Sequence, residues 1–246
     1  MIKIKDLHKR FGSNYVLKGL ELEIYDGETI TVIGASGGGK SVLLKCLLGL
    51  LKPERGQIYV DGVEITRLSD EDLWEVQKKF GFLFQGAALF DSLTVAENVS
   101  FGLRNLKSQM SESEIAERVR WCLANVGLKG VENLKPAELS GGMKKRVGLA
   151  RAIATEPRYI LYDEPTTGLD PIKSDLITDL ILKLQRDLKI TSIVVTHDMV
   201  AAYKVSNRIA MLYDGKIVEI GTPQEIKSTS NQIVRQFIEG RSEEKV

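Results

Sequence analysis

The sequence predicts an α/β protein whose core is one mostly parallel sheet with a block of helices inserted into it. Three observations carry the prediction. Apolar or alternating runs of strand length recur along the chain, separated by helix-length amphipathic stretches, which is the pattern of a parallel sheet with crossover helices. A glycine-rich loop stands between an apolar run and a leucine-rich helix. Between about 94 and 155 the pattern is helical with strand signals on either side, so this block is expected as an insertion and not as a second domain.

Taken in order, Met1-Ile2-Lys3-Ile4-Lys5 alternates apolar and charged residues, as a half-buried strand does. Strands are expected over 2–7, 19–25 and 29–33, followed by a helix from about Lys40 to Leu51. Short strands around 57–66 flank a turn at Asp61-Gly62, and helices are expected near 112–127 and 142–155. Strands return at Tyr159–Tyr162 and Ile190–Thr196, separated by a long amphipathic helix through Leu176, Leu180, Leu182 and Leu184.

Composition narrows the function. A chain of 246 residues, 43% hydrophobic and 27% charged, has enough apolar material for one sizeable core. A net charge of +1, from 34 basic and 33 acidic side chains, argues against a nucleic-acid surface. The run Lys144-Lys145-Arg146 reads as a solvated helix face. Cys46 and Cys122 lie far apart without metal-ligand spacing, and Cys46 sits in the apolar run Val42, Leu43, Leu44, Leu47, Leu48, as a buried free thiol would. A reducing, cytoplasmic compartment fits both. The N-terminus lacks the apolar core of a signal peptide, and no stretch approaches the roughly 20 apolar residues that span a bilayer. Any membrane role is therefore expected to come through a partner. Sustained heptads, the mark of a long coiled-coil insertion, are absent from the sequence.

Two segments carry chemistry. Gly34-Ala35-Ser36-Gly37-Gly38-Gly39-Lys40-Ser41 fits the phosphate-loop pattern GxxxxGK[ST], after the apolar run Ile30, Val32, Ile33 and before a helix. Its glycines let backbone N–H groups close round phosphate oxygens, and the helix N-terminus adds a favourable field for the anion. Lys40 supplies a positive charge for the β- and γ-phosphates, and the Ser41 hydroxyl can ligate Mg²⁺. The second segment, Tyr159-Ile160-Leu161-Tyr162-Asp163-Glu164, brings two adjacent carboxylates to the end of a buried strand, where open α/β sheets place ligands. Strand alternation would send the two to opposite sides. Asp163 suits a role in holding Mg²⁺, and Glu164 one as general base.

With these segments the sequence resembles the ATPase subunit of the ABC transporter family over nearly its whole length. Phe84-Gln85 resembles the family's Q-loop, and Leu139-Ser140-Gly141-Gly142-Met143 its signature motif. Pro165-Thr166-Thr167-Gly168-Leu169-Asp170 resembles the D-loop, and Val195-Thr196-His197-Asp198 the switch histidine. The resemblance implies a RecA-like core over about 1–85 and 156–220 with N-terminal antiparallel strands, a helical subdomain over about 86–155, and a helical tail over about 222–246, all one ABC ATPase domain. It implies ATP hydrolysis with Mg²⁺, catalysed by Glu164, His197, Lys40 and Gln85, with the metal held by Ser41, Gln85 and Asp163. It places Gly34, Ser36, Gly37, Gly38, Gly39, Lys40, Ser41, Val42, Gln85, Asp163 and His197 at the nucleotide. Ser140, Gly141, Gly142 and Asp170 join them, the signature reaching the γ-phosphate held by a second copy. Phe11 is taken as the aromatic stacking on adenine, with Tyr15 as the alternative. Two copies then close around two ATP and drive a separate multi-span permease from the inner face of the cytoplasmic membrane.

Two departures point to a branch. Met143 stands where Gln is most usual, and the Q-loop continues from Gly86 to Val99 through Phe90, Thr94 and Asn98. Both are similar to the Mla-type ATPases that serve phospholipid transport with mammalian-cell-entry (MCE) proteins, as is the closing segment from Gln232 to Gly240. That segment reads as an amphipathic helix whose apolar side, Ile233, Val234, Phe237 and Ile238, packs either on a partner or on the chain's own core. The competing functions are the ATPase of a small-solute transporter and a non-transporting switch acting on a cell-division membrane protein.

Overall fold

A computed structural model describes residues 1–106 and 109–241; the end of the expected tail, 242–246, lies outside the described residues. The chain forms two compact units, one from Met1–Val76 with Ile193–Val246 and the other from Gln77–Ser192.

The first unit begins with β1 (Ile2–Phe11) and β2 (Asn14–Ile24), an antiparallel pair. Their inner parts bury Ile2, Ile4, Leu7, Leu17, Leu20, Leu22 and Ile24. Beyond these, both strands run on as a hairpin arm in which Arg10 faces Tyr15 and Phe11 faces Asn14. Expecting strands only over 2–7 and 19–25 understated both, because the arm is polar and lacks an apolar pattern. β3 (Thr29–Ile33) is buried at every position, as a strand covered on both faces must be. The helix after it, α1 (Lys40–Leu47), stops short of Leu51. Gly49 ends the run at φ +69°, where a Cβ would also stand 2.6 Å from Leu73. β4 (Arg55–Val60) and β5 (Val63–Glu64) meet at Asp61-Gly62, whose φ angles of +52° and +81° are those a tight hairpin turn demands. The antiparallel sheet has the order β2-β1-β4-β5. α2 (Asp70–Gln77) follows and reaches the boundary of the unit.

The second unit holds β6 (Phe80–Leu83), α3 (Val95–Leu106), α4 (Glu112–Asn125), α5 (Gly141–Ala154), β7 (Tyr159–Asp163) and α6 (Pro171–Leu188). Parallel β6 and β7 pair from Phe80↔Tyr159 to Leu83↔Tyr162. A Ser111–Glu114 capping box starts α4. Arg118 on α4 closes the end of α5, its Nε donating to Ala154 O at 2.9 Å and its Nη2 to Ile153 O at 2.9 Å. Cys122 on α4 is buried like Cys46 on α1, and burial pushes both thiols up to about 11. Helix α5 lies directly on β6: a Cβ on Gly81 would stand 2.3 Å from Ala152 O. Gly81→Ala is therefore expected to cost about 1–3 kcal/mol of stability through overpacking. Thermal unfolding should show it as a fall in midpoint of roughly 2–4 °C per kcal/mol for a chain of this size.

The chain returns to the first unit through β8 (Thr191–Thr196), whose first two residues belong to the second. α7 (Met199–Val205), β9 (Arg208–Tyr213), β10 (Lys216–Gly221), α8 (Pro223–Lys227) and α9 (Gln232–Ile238) complete it. Here the strands run β10-β9-β3-β8, with β3 parallel and β10 antiparallel to β9. Of the two settings expected for the closing helix, the structure shows the chain's own core. Val234 is fully buried with Ile33, Ala202, Ile209, Met211 and Ile226, and Ile233, Phe237 and Ile238 pack against that cluster. Among the described residues no helix is long and apolar enough to cross a membrane.

Candidate functional site

In the first unit, the loop from Gly34 to Gly39 joins the end of β3 to the start of α1. Gly39 occupies the helix N-cap at φ +101° with no side chain capping it, so the first-turn N–H groups present themselves to an anion. A Cβ on Gly39 would meet Val16 Cγ1 at 2.9 Å, and one on Gly34 would meet Leu212 O at 2.5 Å. At both ends of the loop, Gly34 and Gly39, only glycine fits. Its tip, Ser36 and Gly37, is exposed, Ser41 and Val42 are half-buried, and Lys40 is buried. The Lys40 Nζ donates to Gly34 O at 2.8 Å and Ala35 O at 3.0 Å. The ammonium is already folded against the loop it would serve, and phosphate oxygens are stronger acceptors than those carbonyls.

Phe11 and Tyr15 are both half-exposed at the tip of the β1–β2 hairpin, Phe11 beside Lys9 and Tyr15 beside Arg10. Because Val16 touches the Gly39 position, that arm borders the loop. β8 neighbours β3, and exposed His197 follows β8 as the loop follows β3. The turn at His197 is pinned on its far side: Asp198 N donates to Thr196 Oγ1 at 3.0 Å, and Asp198 Oδ1 accepts from Ala201 N at 3.1 Å as the cap of α7.

In the second unit, β7 is buried throughout and ends at Asp163. Glu164 follows at φ +47°, a left-handed conformation uncommon for a residue with a Cβ. The strand pleat therefore does not extend to Glu164, and the alternation expected from sequence does not apply to the pair. Both are buried. Thr167 Oγ1 donates to Glu164 Oε2 at 3.2 Å, and Thr167 N donates to Glu164 O at 3.3 Å. Exposed Gln85 leaves the same end of the sheet, since Leu83 and Tyr162 are paired in parallel. Ala87 and Ala88 just beyond it are also left-handed, at φ +62° and +44°. Arg151 holds them there, its Nη2 donating to Ala87 O at 2.6 Å and its Nη1 to Ala88 O at 2.7 Å. Buried Asn98 fastens the rest of this loop, accepting from Phe90 N at 2.8 Å and donating to Phe90 O, Leu93 O and Thr94 O.

Ser140 caps α5, accepting from Met143 N at 3.3 Å, with no acidic residue in the first turn. Gly141 is exposed and Gly142 buried. This helix end, like that of α1, suits an anion. Asp170 caps α6, its Oδ1 accepting from Lys173 N at 3.0 Å, and the hydrogen bond from Lys173 holds its carboxyl below the usual range.

The run Lys144-Lys145-Arg146 is not the solvated face expected: Lys145 is only 5% exposed. Its Nζ donates to Gln85 O and to Glu164 O, the latter at 3.2 Å. Burial lowers its pKa, against the opposing charges of Asp163 and Glu164. Helical spacing could have found it, because Gly142, Lys145, Leu149 and Ile153 recur three to four apart on one face. Arg151 and Asn98 had no comparable signal.

The donor set fits a nucleotide with Mg²⁺. Glycines bend the loop, a lysine is stored against it, and two helix N-termini lack acidic first turns. Among the described residues no three His, Cys, Asp or Glu side chains stand together as a metal cage. Mg²⁺ keeps water and phosphate oxygens as most of its ligands, so the Ser41 hydroxyl in the first unit and, in the second, the Gln85 amide and Asp163 carboxylate are each of a chemistry that suits it.

Comparison with known proteins gives one family. The ABC transporter family profile matches residues 17–167. The chain is 43% identical over 241 residues to the probable ribonucleotide transport ATP-binding protein mkl of Mycobacterium leprae, covering 98% of this chain and 69% of that one. It is 40% identical over 243 residues to the intermembrane phospholipid transport system ATP-binding protein MlaF of Haemophilus influenzae, covering 99% and 92%. Among solved structures, it is similar to the dimeric post-hydrolysis state of the ATP-binding cassette MJ0796 bound to ADP and Pi. That likeness has a TM-score of 0.84 at 36% identity, over 91% of this chain and 99% of that one.

Proposed function

The chain belongs to the ABC transporter family and is an ATPase using ATP with Mg²⁺, and on that premise we propose that it drives phospholipid transport between envelope membranes. In this reading two copies close around two ATP. They act from the inner face of the cytoplasmic membrane on a separate permease that works with an MCE-domain lipid-binding protein. The chain acts as one ABC ATPase domain, its core over about 1–85 and 156–220 and its helical subdomain over about 86–155.

Each residue has a role. Backbone N–H groups from Gly34 to Val42 bind the phosphates, and Lys40 exchanges the carbonyls of Gly34 and Ala35 for phosphate oxygens. Ser41, Gln85 and Asp163 would hold Mg²⁺, which when bound would neutralise phosphate charge. Glu164 accepts the proton of the water that attacks the γ-phosphorus in line. His197 senses the γ-phosphate, and Phe11 or Tyr15 stacks on adenine. Ser140, Gly141, Gly142 and Asp170 serve the partner copy's nucleotide.

The observation that carries the dimer is apolar exposure beside the motifs. Ile172, two residues past Asp170, is 85% exposed, and Val200, three residues past His197, is 77% exposed. Single exposed aliphatics are ordinary on a protein surface, and these two count toward the dimer only because of the segments they follow. The dimeric state of the MJ0796 cassette supports the same reading. For the permease, Phe90 and Phe101 form an exposed aromatic pair 4.7 Å apart, near the clamped loop after Gln85. The lipid cargo is supported by the MlaF relative, whereas the mkl relative favours nucleotide or other small-solute transport as the second reading.

Affinity purification of the tagged chain from gently solubilised membranes tests the cargo. Recovery of an MCE-domain protein, one multi-span permease and bound phospholipid is expected. Recovery of a solute-type permease, or of a cell-division membrane protein, would overturn the lipid reading.

A further inference from the structure

The buried Lys145 has no part in the mechanism above, yet its setting is costly. Position 145 lies near the positive N-terminal end of α5, where a cation is disfavoured, and the side chain is removed from water. What holds it is a convergence of oxygens. Its Nζ donates to the main-chain carbonyls of Gln85 and Glu164, and the charges of Asp163 and Glu164 favour the ammonium. Each carbonyl lies at or close to a left-handed turn. Glu164 itself has φ +47°, and Gln85 precedes the left-handed pair Ala87-Ala88. These turns follow the parallel strands β6 and β7. One side chain, one helical turn beyond Ser140 and Gly142, thus joins the ends of two neighbouring strands.

We infer that Lys145 is a positioning residue for hydrolysis, tying the carbonyl of Gln85 to that of Glu164 and so setting the direction of the Glu164 carboxylate. The inference rests on the assignment of Glu164 as general base. A lysine with two donors on two backbone segments fixes their separation, and a carboxylate hung from one of them turns with it. A rearrangement of the loop after Gln85 is then felt at Glu164 through the main chain, and small misplacements of a base cost large factors in rate. Arg151 and Asn98 brace the same loop further on, so Lys145 is the link between that brace and the base.

The test uses the full chain with Lys145→Met, which keeps the volume and removes charge and donors, and Lys145→Arg, which restores them. Turnover, affinity for a fluorescent ATP analogue and the thermal midpoint are measured in wild-type and Glu164→Gln backgrounds. Lys145→Met is expected to lower kcat by about 30-fold while changing ATP affinity by less than about threefold, and Lys145→Arg to recover most of the loss. In the Glu164→Gln background Lys145→Met should cost less than about twofold more, because the group it aims is gone. Should Lys145→Met lower the midpoint by more than a few degrees, Lys145→Gln, which keeps a donor without the charge, makes the same comparison. Unchanged kcat, parallel loss of affinity and kcat, or the same 30-fold loss repeated in the Glu164→Gln background would each overturn the inference. If Glu164→Gln itself turns over normally, the Glu164 assignment has failed. If Glu164→Gln is inactive and Lys145→Met is not impaired, only the role of Lys145 has.

Discussion

Glu164→Gln should reduce ATP hydrolysis by about a thousandfold while leaving ATP affinity within about threefold of wild type, the scale on which a positioned general base acts. The amide has the shape of the carboxylate and can still accept from Thr167 Oγ1, so the turn at φ +47° keeps its local bonds. What the amide cannot do is take a proton from water. The change therefore falls on kcat and not on binding, which a phosphate-release assay beside a fluorescent nucleotide titration would separate. Near-normal turnover in this variant would remove Glu164 from its role.

Lys40→Ala should act on the other quantity. Its ammonium makes two hydrogen bonds to loop carbonyls in the free protein, and both are traded for stronger, charge-assisted ones when phosphate binds. Losing a donor of this kind costs about 3 kcal/mol, which is roughly a hundredfold in affinity. Alanine is a good residue for the first position of α1, so the thermal midpoint without nucleotide should move little. Titration with a fluorescent ATP analogue checks this; binding within about threefold of wild type would show that the loop holds phosphate without its lysine.

What could be read from sequence divides along physical lines. The phosphate loop was legible because its function depends on a contiguous stretch: glycines, lysine and hydroxyl at fixed spacing between strand and helix. The strands buried on both faces, β3, β7 and β8, announced themselves as apolar runs. The hairpin arm carrying Phe11 and Tyr15 did not, because its strand pairing is held by backbone bonds and needs no apolar alternation. A run of three basic residues looks like a solvent face, while the burial of Lys145 is decided by which side of α5 meets β6. The alternation expected to part Asp163 from Glu164 does not apply, since the backbone turns at Glu164 instead of continuing the strand. The side of α9 that is covered could not be chosen from its own residues, because the surface it packs on is assembled from β3, α7, β9 and α8.

In the proposed cycle ATP joins two copies of this chain, each completing the other's site. Light scattering on purified Glu164→Gln, with and without ATP and Mg²⁺, tests it most directly, since hydrolysis no longer breaks the complex. One chain per particle is expected without nucleotide and two with ATP, with one ATP bound per chain. Full ATP occupancy with the mass still that of a single chain would contradict it.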